Sequence, residues 1–185
     1  APQASHVDYA RHHTTEAALL AMCDEAQNAE TIIGWSMGGR MAVQAIAKGW
    51  LKPKRLVLIG VPFQFVQSDT LKVGMGRDTF RQFRDNYAAN PGRTLTKAHM
   101  LVAHGDGNTN SVMHYAQASR ERLKPHNWLF WLDALGGLTC AGMDFSHFPP
   151  TLLLHGQNDA VVASTQAALF TRAMPHAKAH IFPDC

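Results

Sequence analysis

The 185-residue chain contains no apolar run close to the ~18 residues that span a bilayer. Its first residues, Ala1-Pro2-Gln3-Ala4-Ser5-His6, lack the charged-then-apolar pattern of a secretion signal. Cysteine is scarce: Cys23, Cys140 and Cys185 are odd in number and far apart. No C-x-x-C pair or Cys/His finger spacing occurs, so reduced thiols and a cytoplasmic setting are expected, with no structural zinc. The net charge of +3 is too small to argue for nucleic acid as a partner, and no membrane partner is expected. There is no internal repeat and no low-complexity segment. What is present is a chain that is 46% hydrophobic, enough for one domain with a real core.

The strongest local pattern is Gly34-Trp35-Ser36-Met37-Gly38-Gly39. An apolar run, Thr31-Ile32-Ile33, leads into it, and a helix-forming run from Arg40 to Lys48 leads out. Strand, sharp turn and helix, with Ser at the apex of G-x-S-x-G, form a nucleophile elbow. The apical Ser is expected at positive φ, which pushes its hydroxyl out of the turn. Gly34 and Gly38 are expected to flank it because side chains there would collide across the corner. Ser36 then lies at a helix N-terminus, where free N–H groups favour developing negative charge.

The rest of the chain reads as an α/β protein. Residues 6–9 resemble the end of a short strand. Thr14 is a candidate N-cap for a helix through Met22. Residues 30–35 and 54–60 read as strands around a helix over 37–49, the second strand apolar on both faces as in a buried parallel sheet. This alternation predicts a parallel sheet with right-handed crossovers. From 63 to 148 the pattern changes to helical segments, 78–90, 94–104 and 111–123, separated by Pro91-Gly92, Gly105-Asp106-Gly107 and Pro125. The apolar segment 127–132 follows, ending at Gly136-Gly137. A helical insert between two strands is a candidate cap. The division expected is therefore 1–62 first core part, 63–148 cap insert and 149–185 second core part. Strands over 151–156 and 178–182, with a helix over 164–174 between them, complete the core.

Functional groups of a doubly wound sheet gather at the carboxyl ends of its strands. Ser36 is at one such end. Asp159, in the loop Gln157-Asn158-Asp159, is at another, and fits the chain order Ser…Asp…His. Its task would be to orient a histidine and stabilise the imidazolium. The histidine itself is the difficulty, because a serine needs a base. His180 lies within the last strand, His155 within the strand before Asp159, and His176 on the wrong side of its strand. His147 is the least unsuitable, without support from its spacing.

These residues resemble the α/β-hydrolase superfamily, and more narrowly the pimeloyl-[acyl-carrier protein] methyl ester esterases of biotin synthesis. The features that carry the resemblance are Ile33 to Gly39, Leu135-Gly136-Gly137-Leu138 with Asp144-Phe145, and Leu153 to Val162. The resemblance implies an α/β-hydrolase sheet with a helical cap, lacking the N-terminal strands and the C-terminal helix. It implies Ser36 as nucleophile, Asp159 as acid and the Met37 N–H as half of an oxyanion hole. Members of the family carry a Gly-His after the last strand and a His-Gly loop near the start. On that comparison the chain resembles a fragment cut at both ends, expected to be nearly inactive alone. The implied substrate is a small-molecule or carrier-bound acyl ester, with an acyl-carrier protein as partner and no cofactor. Other hydrolase chemistries on the same fold, namely thioesterase, lipase, C–C hydrolase and haloperoxidase, stay open at this point, as does a non-catalytic acyl-carrier-binding relic.

Trp35, Phe63, Trp128 and Trp131 are candidate lining residues of the acyl pocket. Between Lys72 and Lys124 nine basic residues face four acidic ones, so the middle of the chain is its most basic part. Arg77, Arg81 and Arg84 fall on one helical stripe. With Arg120, Arg122 and Lys124 they form a candidate docking surface for an acidic carrier protein. The run Asp106-Gly107-Asn108-Thr109-Asn110 starts like a Ca²⁺ loop, but Ser111 and Gln117 stand where Gly and Glu are needed, so a turn is expected.

Overall fold

The computed structural model describes residues 4–8, 11–104, 107–122 and 127–185, except the side chains of 117 and 119–122. The elements follow in the order α1 (Thr15–Ala26), β1 (Thr31–Trp35), α2 (Ser36–Ala47), β2 (Arg55–Ile59), α3 (Arg77–Ala89), α4 (Pro91–Val102), α5 (Thr109–Arg122), α6 (Trp128–Gly137), β3 (Thr151–Gly156), α7 (Thr165–Ala173) and β4 (Ala177–Phe182). Residues 6–8 form no strand. Thr14 does cap α1: its hydroxyl accepts from the Ala17 N–H at 3.1 Å.

The four strands form one parallel sheet in the order β1-β2-β3-β4. Register places Ile33 beside Val57, and Val57 beside Leu152. Alternation then divides the side chains between two faces. Leu56, Leu58, Thr151, Leu153 and His155 are buried on one face. There Leu56, Leu58 and Leu153 join Met41, Val43, Ala45 and Ile46 of α2 and Phe170 and Met174 around α7 in one apolar cluster. The other face carries Ile33, Trp35, Val57, Ile59, Leu152 and Leu154 and has no helix on it among the described residues. Ile33 and Trp35 are each 67% exposed there, and Leu152 41%. The doubly covered sheet expected from the apolar strand 54–60 is thus covered on one face only.

Four helices, α3 to α6, fill the chain between β2 and β3. Pro91-Gly92, expected to separate helices, is instead the first turn of α4. Asn90 caps it by accepting from the Arg93 N–H at 3.0 Å, and Pro at the first position loses only an N–H that would be unpaired there. The insert is tied to the core by Gln64. Its amide donates to the Leu71 and Val73 carbonyls, its oxygen accepts from Thr139, and its backbone N–H donates to Gln166 of α7. No described helix is long and apolar enough to cross a membrane. The three cysteines are free.

Candidate active site

Ser36 sits where β1 turns into α2, with φ of 47°, the one positive-φ residue other than glycine among those described. Such a conformation costs about 1–3 kcal/mol and persists where its surroundings enforce it. They do so here through two glycines. A Cβ on Gly34 would lie 2.4 Å from Gly39 Cα, and one on Gly39 would lie 2.2 Å from Val61 Cγ2 and 2.9 Å from the Gly34 oxygen. From Gly34 the tightest approach across the corner is to Gly39, with the Gly38 carbonyl carbon also close at 3.3 Å. Because α2 begins at Ser36, the Met37 N–H is one of the first-turn donors that the helix leaves unpaired. It points its partial positive charge toward the serine's end of the helix.

Asp159 lies in the loop after β3, two strands away from Ser36. That separation is about 10 Å at the usual strand spacing. The strand between them ends at Gly60, with φ of 53°. A Cβ there would lie 3.6 Å from Asp159 Oδ2 and 3.8 Å from Trp35 Nε1. Trp35, Gly60 and Asp159 thus stand side by side at the carboxyl ends of β1, β2 and β3. One carboxylate oxygen, Oδ1, accepts from the N–H groups of Val161 at 2.9 Å and Val162 at 2.8 Å. The other, Oδ2, lies 3.4 Å from His155 Nε2. Burial opposes ionisation of Asp159, but the hydrogen bonds from His155, Val162 and Val161 outweigh it and hold the carboxyl below its usual range. Burial likewise opposes the charged form of His155, while Asp159 and the Val162 carbonyl raise its pKa above the usual value.

No hydrogen bond reaches the Ser36 hydroxyl from a histidine among the described residues. His155 turns its Nε2 to the Val162 carbonyl at 2.7 Å and is 4% exposed. His147 bonds the Ile46 carbonyl at 3.0 Å, ten residues along α2 from Ser36. At 1.5 Å per residue that is about 15 Å from the serine, at the wrong end of the helix. His180 lies in β4 with its ring against Phe182.

The candidate lining residues divide. Trp35 is 67% exposed and Trp128 40% exposed. Phe63 and Trp131 belong to the core: Phe63 packs edge-on against Phe170 at 5.0 Å, and Trp131 against Phe130 at 4.9 Å. Their apolar area is used in packing, which explains their aromatic character without a ligand. Two surface clefts, about 360 and 420 Å³, lie beside Gln67, Ser68 and Arg77 and beside Gln64 and Gly136; neither is lined by Ser36 or Asp159.

All three arginines of the α3 stripe have carboxylate partners. Arg77 pairs with Asp69 at 3.1 Å and Arg81 with Asp78 at 3.1 Å. Arg84 makes a two-pronged bond to Asp133 of α6, at 2.5 and 2.9 Å. The side chains of Arg120 and Arg122, on α5, lie outside the described residues, as does the whole of Lys124.

Sequence reasoning set His155 aside because it lies within a strand. Its position on the covered face, opposite the exposed Leu152 and the half-buried Leu154, was the available signal: a polar ring where the alternation asks for an apolar side chain. Gly60 was also passed over, although a glycine at a strand end is the residue that leaves such a gap open.

The chain matches the model of the alpha/beta hydrolase family over residues 1–185. It is 29% identical to the pimeloyl-[acyl-carrier protein] methyl ester esterase of Aromatoleum aromaticum, over 95% of this chain and 74% of that protein. It is 24% identical to the protein of the same name from Nitrosospira multiformis, over 83% of this chain and 60% of that one. The chain therefore spans between about three fifths and three quarters of the length of these relatives. Among solved structures, the esterase EaEST from Exiguobacterium antarcticum superposes with a TM-score of 0.82 at 16% identity, over 95% of this chain and 67% of that one. A bromoperoxidase from Bacillus anthracis superposes with a TM-score of 0.79 at 20% identity, over 97% of this chain and 68% of that one. With Ser36 at the β1–α2 elbow and Asp159 in the loop after β3, the chain belongs to the alpha/beta hydrolase family.

Proposed function

We propose that this chain carries the nucleophile and the acid of a serine ester hydrolase acting on the methyl ester of a carrier-bound pimeloyl-type acyl chain. Ser36 attacks the ester carbonyl, and the Met37 N–H is one of the donors that hold the oxyanion. An imidazole between Ser36 and Asp159 takes the serine proton and gives it to the departing methanol; water then releases the acid by the same route in reverse. Asp159 Oδ2 receives the N–H of that imidazole and stabilises its charged form. The observation that carries the reading is the strained Ser36 at the end of β1, with the Asp159 carboxylate two strands away at the same end of the sheet, its Oδ2 beside Gly60. The names of the relatives support the substrate class.

Residues 63–148 act as the cap, and Trp35 and Trp128 are the aromatic residues left to border an acyl pocket. An acidic carrier protein docks through Arg77 and Arg81. Their intramolecular partners are exposed, and exposed pairs of this kind are weak enough to be exchanged for a partner's carboxylates. Arg84 braces α3 against α6 and contributes less. If Arg77/Arg81→Ala turned over carrier-bound and free methyl esters as the unaltered enzyme does, the docking surface would be elsewhere.

On this reading none of the described histidines serves as the general base. A fluorophosphonate probe is expected to label Ser36 slowly in the chain as it stands; rapid labelling would show that the base is already present. The reading frame beyond Cys185 is the second check. A Gly-His there supports the enzyme, and labelling of the protein that includes it should be rapid and abolished by Ser36→Ala.

A further inference from the structure

We propose that His155 is a positioning residue for Asp159, fixing which carboxylate oxygen is offered to the catalytic imidazole; this rests on the reading of Asp159 as the acid. A carbonyl oxygen can only accept, so the 2.7 Å contact between His155 Nε2 and the Val162 carbonyl requires the proton to be on Nε2. The N–H of that same Val162 donates to Asp159 Oδ1 at 2.8 Å, and the N–H of Val161 donates at 2.9 Å. His155 and Asp159 therefore grip the same residue from two sides, the histidine by its carbonyl and the aspartate by its amide. The loop 159–162 is closed onto the buried face of β3 by this grip.

The consequence is a division of labour between the two oxygens. Oδ1 is consumed by two backbone amides. Oδ2 lies 3.4 Å from His155 Nε2, whose proton is shared with the Val162 carbonyl at 2.7 Å, so this hydrogen bond is long and weak. Oδ2 keeps lone-pair capacity for a stronger donor and lies beside the gap at Gly60. Without His155, the Val162 peptide is free to turn, and the carboxylate loses the support that keeps Oδ1 inward and Oδ2 outward. The position itself argues for a role. His155 is 4% exposed on a strand whose other inward residues are Thr151 and Leu153, and a buried imidazole costs free energy that an apolar side chain would not.

The test uses the full-length esterase that includes the base. Expected for His155→Leu is a fall in kcat of roughly 10- to 100-fold, the size of effect that a displacement of about 1 Å produces, with KM within about twofold. His155→Gln, which can place an amide N–H near the Val162 carbonyl, should restore most of the loss. His155→Leu added to Asp159→Ala should lower kcat no further, because there is no carboxylate left to position. A general packing role would instead lower activity by the same factor in both backgrounds. Where His155→Leu does not fold, His155→Asn, polar but too short to reach, takes its place in the cycle. A kcat within twofold of the unaltered enzyme for the folded variant, or an equal loss in the Asp159→Ala background, overturns the proposal. Asp159→Asn separates the two readings. A loss on the order of 10⁴-fold upholds Asp159 as the acid. Full activity removes that reading, and the positioning role with it.

Discussion

Arg40 offers the sharpest test of how the core is held. It lies in α2, one turn beyond Ser36, and is 0% exposed. Its Nη1 meets the Sγ of Cys140, while Nε and Nη2 have no partner among the described residues. Burial pushes the Cys140 thiol up to about 11, more than the neighbouring Arg40 charge pulls it down, so at neutral pH the partner is an uncharged thiol. Burial also pulls the pKa of Arg40 below its ordinary value, but not far enough for an arginine to lose its proton. The core therefore encloses a cation without a counter-charge among the described residues. Each unpaired buried donor costs about 1–3 kcal/mol. Two of them set a penalty of about 2–6 kcal/mol, offset in part by the packing of the side-chain stem. Arg40→Met has similar volume and no polar hydrogens. Replacing buried charges by apolar side chains of like size has been neutral to stabilising by about 1–4 kcal/mol in other proteins. For a chain of this length that corresponds to about 2–16 °C in Tm. Urea denaturation of Arg40→Met beside the unaltered chain gives the answer. A variant destabilised by more than about 1 kcal/mol, with an unchanged m-value, would refute the reasoning and show that the guanidinium is net stabilising where it lies.

Three further outcomes are expected. Gly34→Ala should cost at least about 2 kcal/mol and abolish labelling of Ser36, since its Cβ meets the Gly39 backbone at 2.4 Å and neither side can yield; thermal melts and probe labelling read both effects. Asn90→Ala should lower stability by about 1 kcal/mol through the lost cap of α4, whereas Asn90→Ser should lose much less, as circular dichroism during urea unfolding will show. Stability should depend on pH at both ends of the His155–Asp159 pair. The raised pKa of His155 adds stability that is complete below about 6.5 and is lost as pH rises through its higher folded value. The lowered pKa of Asp159 adds stability present above about 3.9 and lost as pH falls through its lower folded value. Denaturation midpoints measured from pH 3 to 9 should show the upper loss disappear in His155→Leu.

The elbow was legible in the sequence because several local requirements coincide there. Apolar run, glycines, serine and helix former all act within about a dozen residues, and Ser36 takes the positive φ that this pattern demands. β1, β2 and β3 were legible for a similar reason, each being a short, largely apolar run bounded by breakers, whereas residues 6–8 form no strand. The position of Asp159 in the loop after β3 was legible once that strand was placed. What was not legible depends on contacts far apart in the chain. Gly34 fits against Gly39, and Gly39 against Val61 of another strand end, which composition cannot reveal. Arg84 looked like one of a stripe, but its partner Asp133 lies forty-nine residues away on α6. Pro91-Gly92 misled because proline breaks a helix interior yet suits a first turn, and only the Asn90 cap distinguishes the two. The apolar strand 54–60 implied cover on both faces, while on the face bearing Ile33 and Trp35 no helix packs among the described residues and those two side chains are exposed.

The strand order has a bearing on how the chain assembles. Chain order and spatial order coincide, β1-β2-β3-β4, so each new strand can add to the edge left by the one before it. The connections differ greatly in length, however. Residues 36–54 join β1 to β2, and residues 60–150, about five times as many, join β2 to β3. Loop-closure entropy grows only with the logarithm of length, so the longer connection costs about 1.4 kcal/mol more than the shorter. That amounts to about a tenfold slower closure if the penalty falls wholly on the search. The α3–α6 insert already makes local contacts of its own, which shorten the effective loop and reduce even that delay. The gap between β2 and β3 is therefore a place where a sheet of this kind can accept a large, variable segment at little thermodynamic cost, and where the speed of folding, more than final stability, should register changes in the length of that segment.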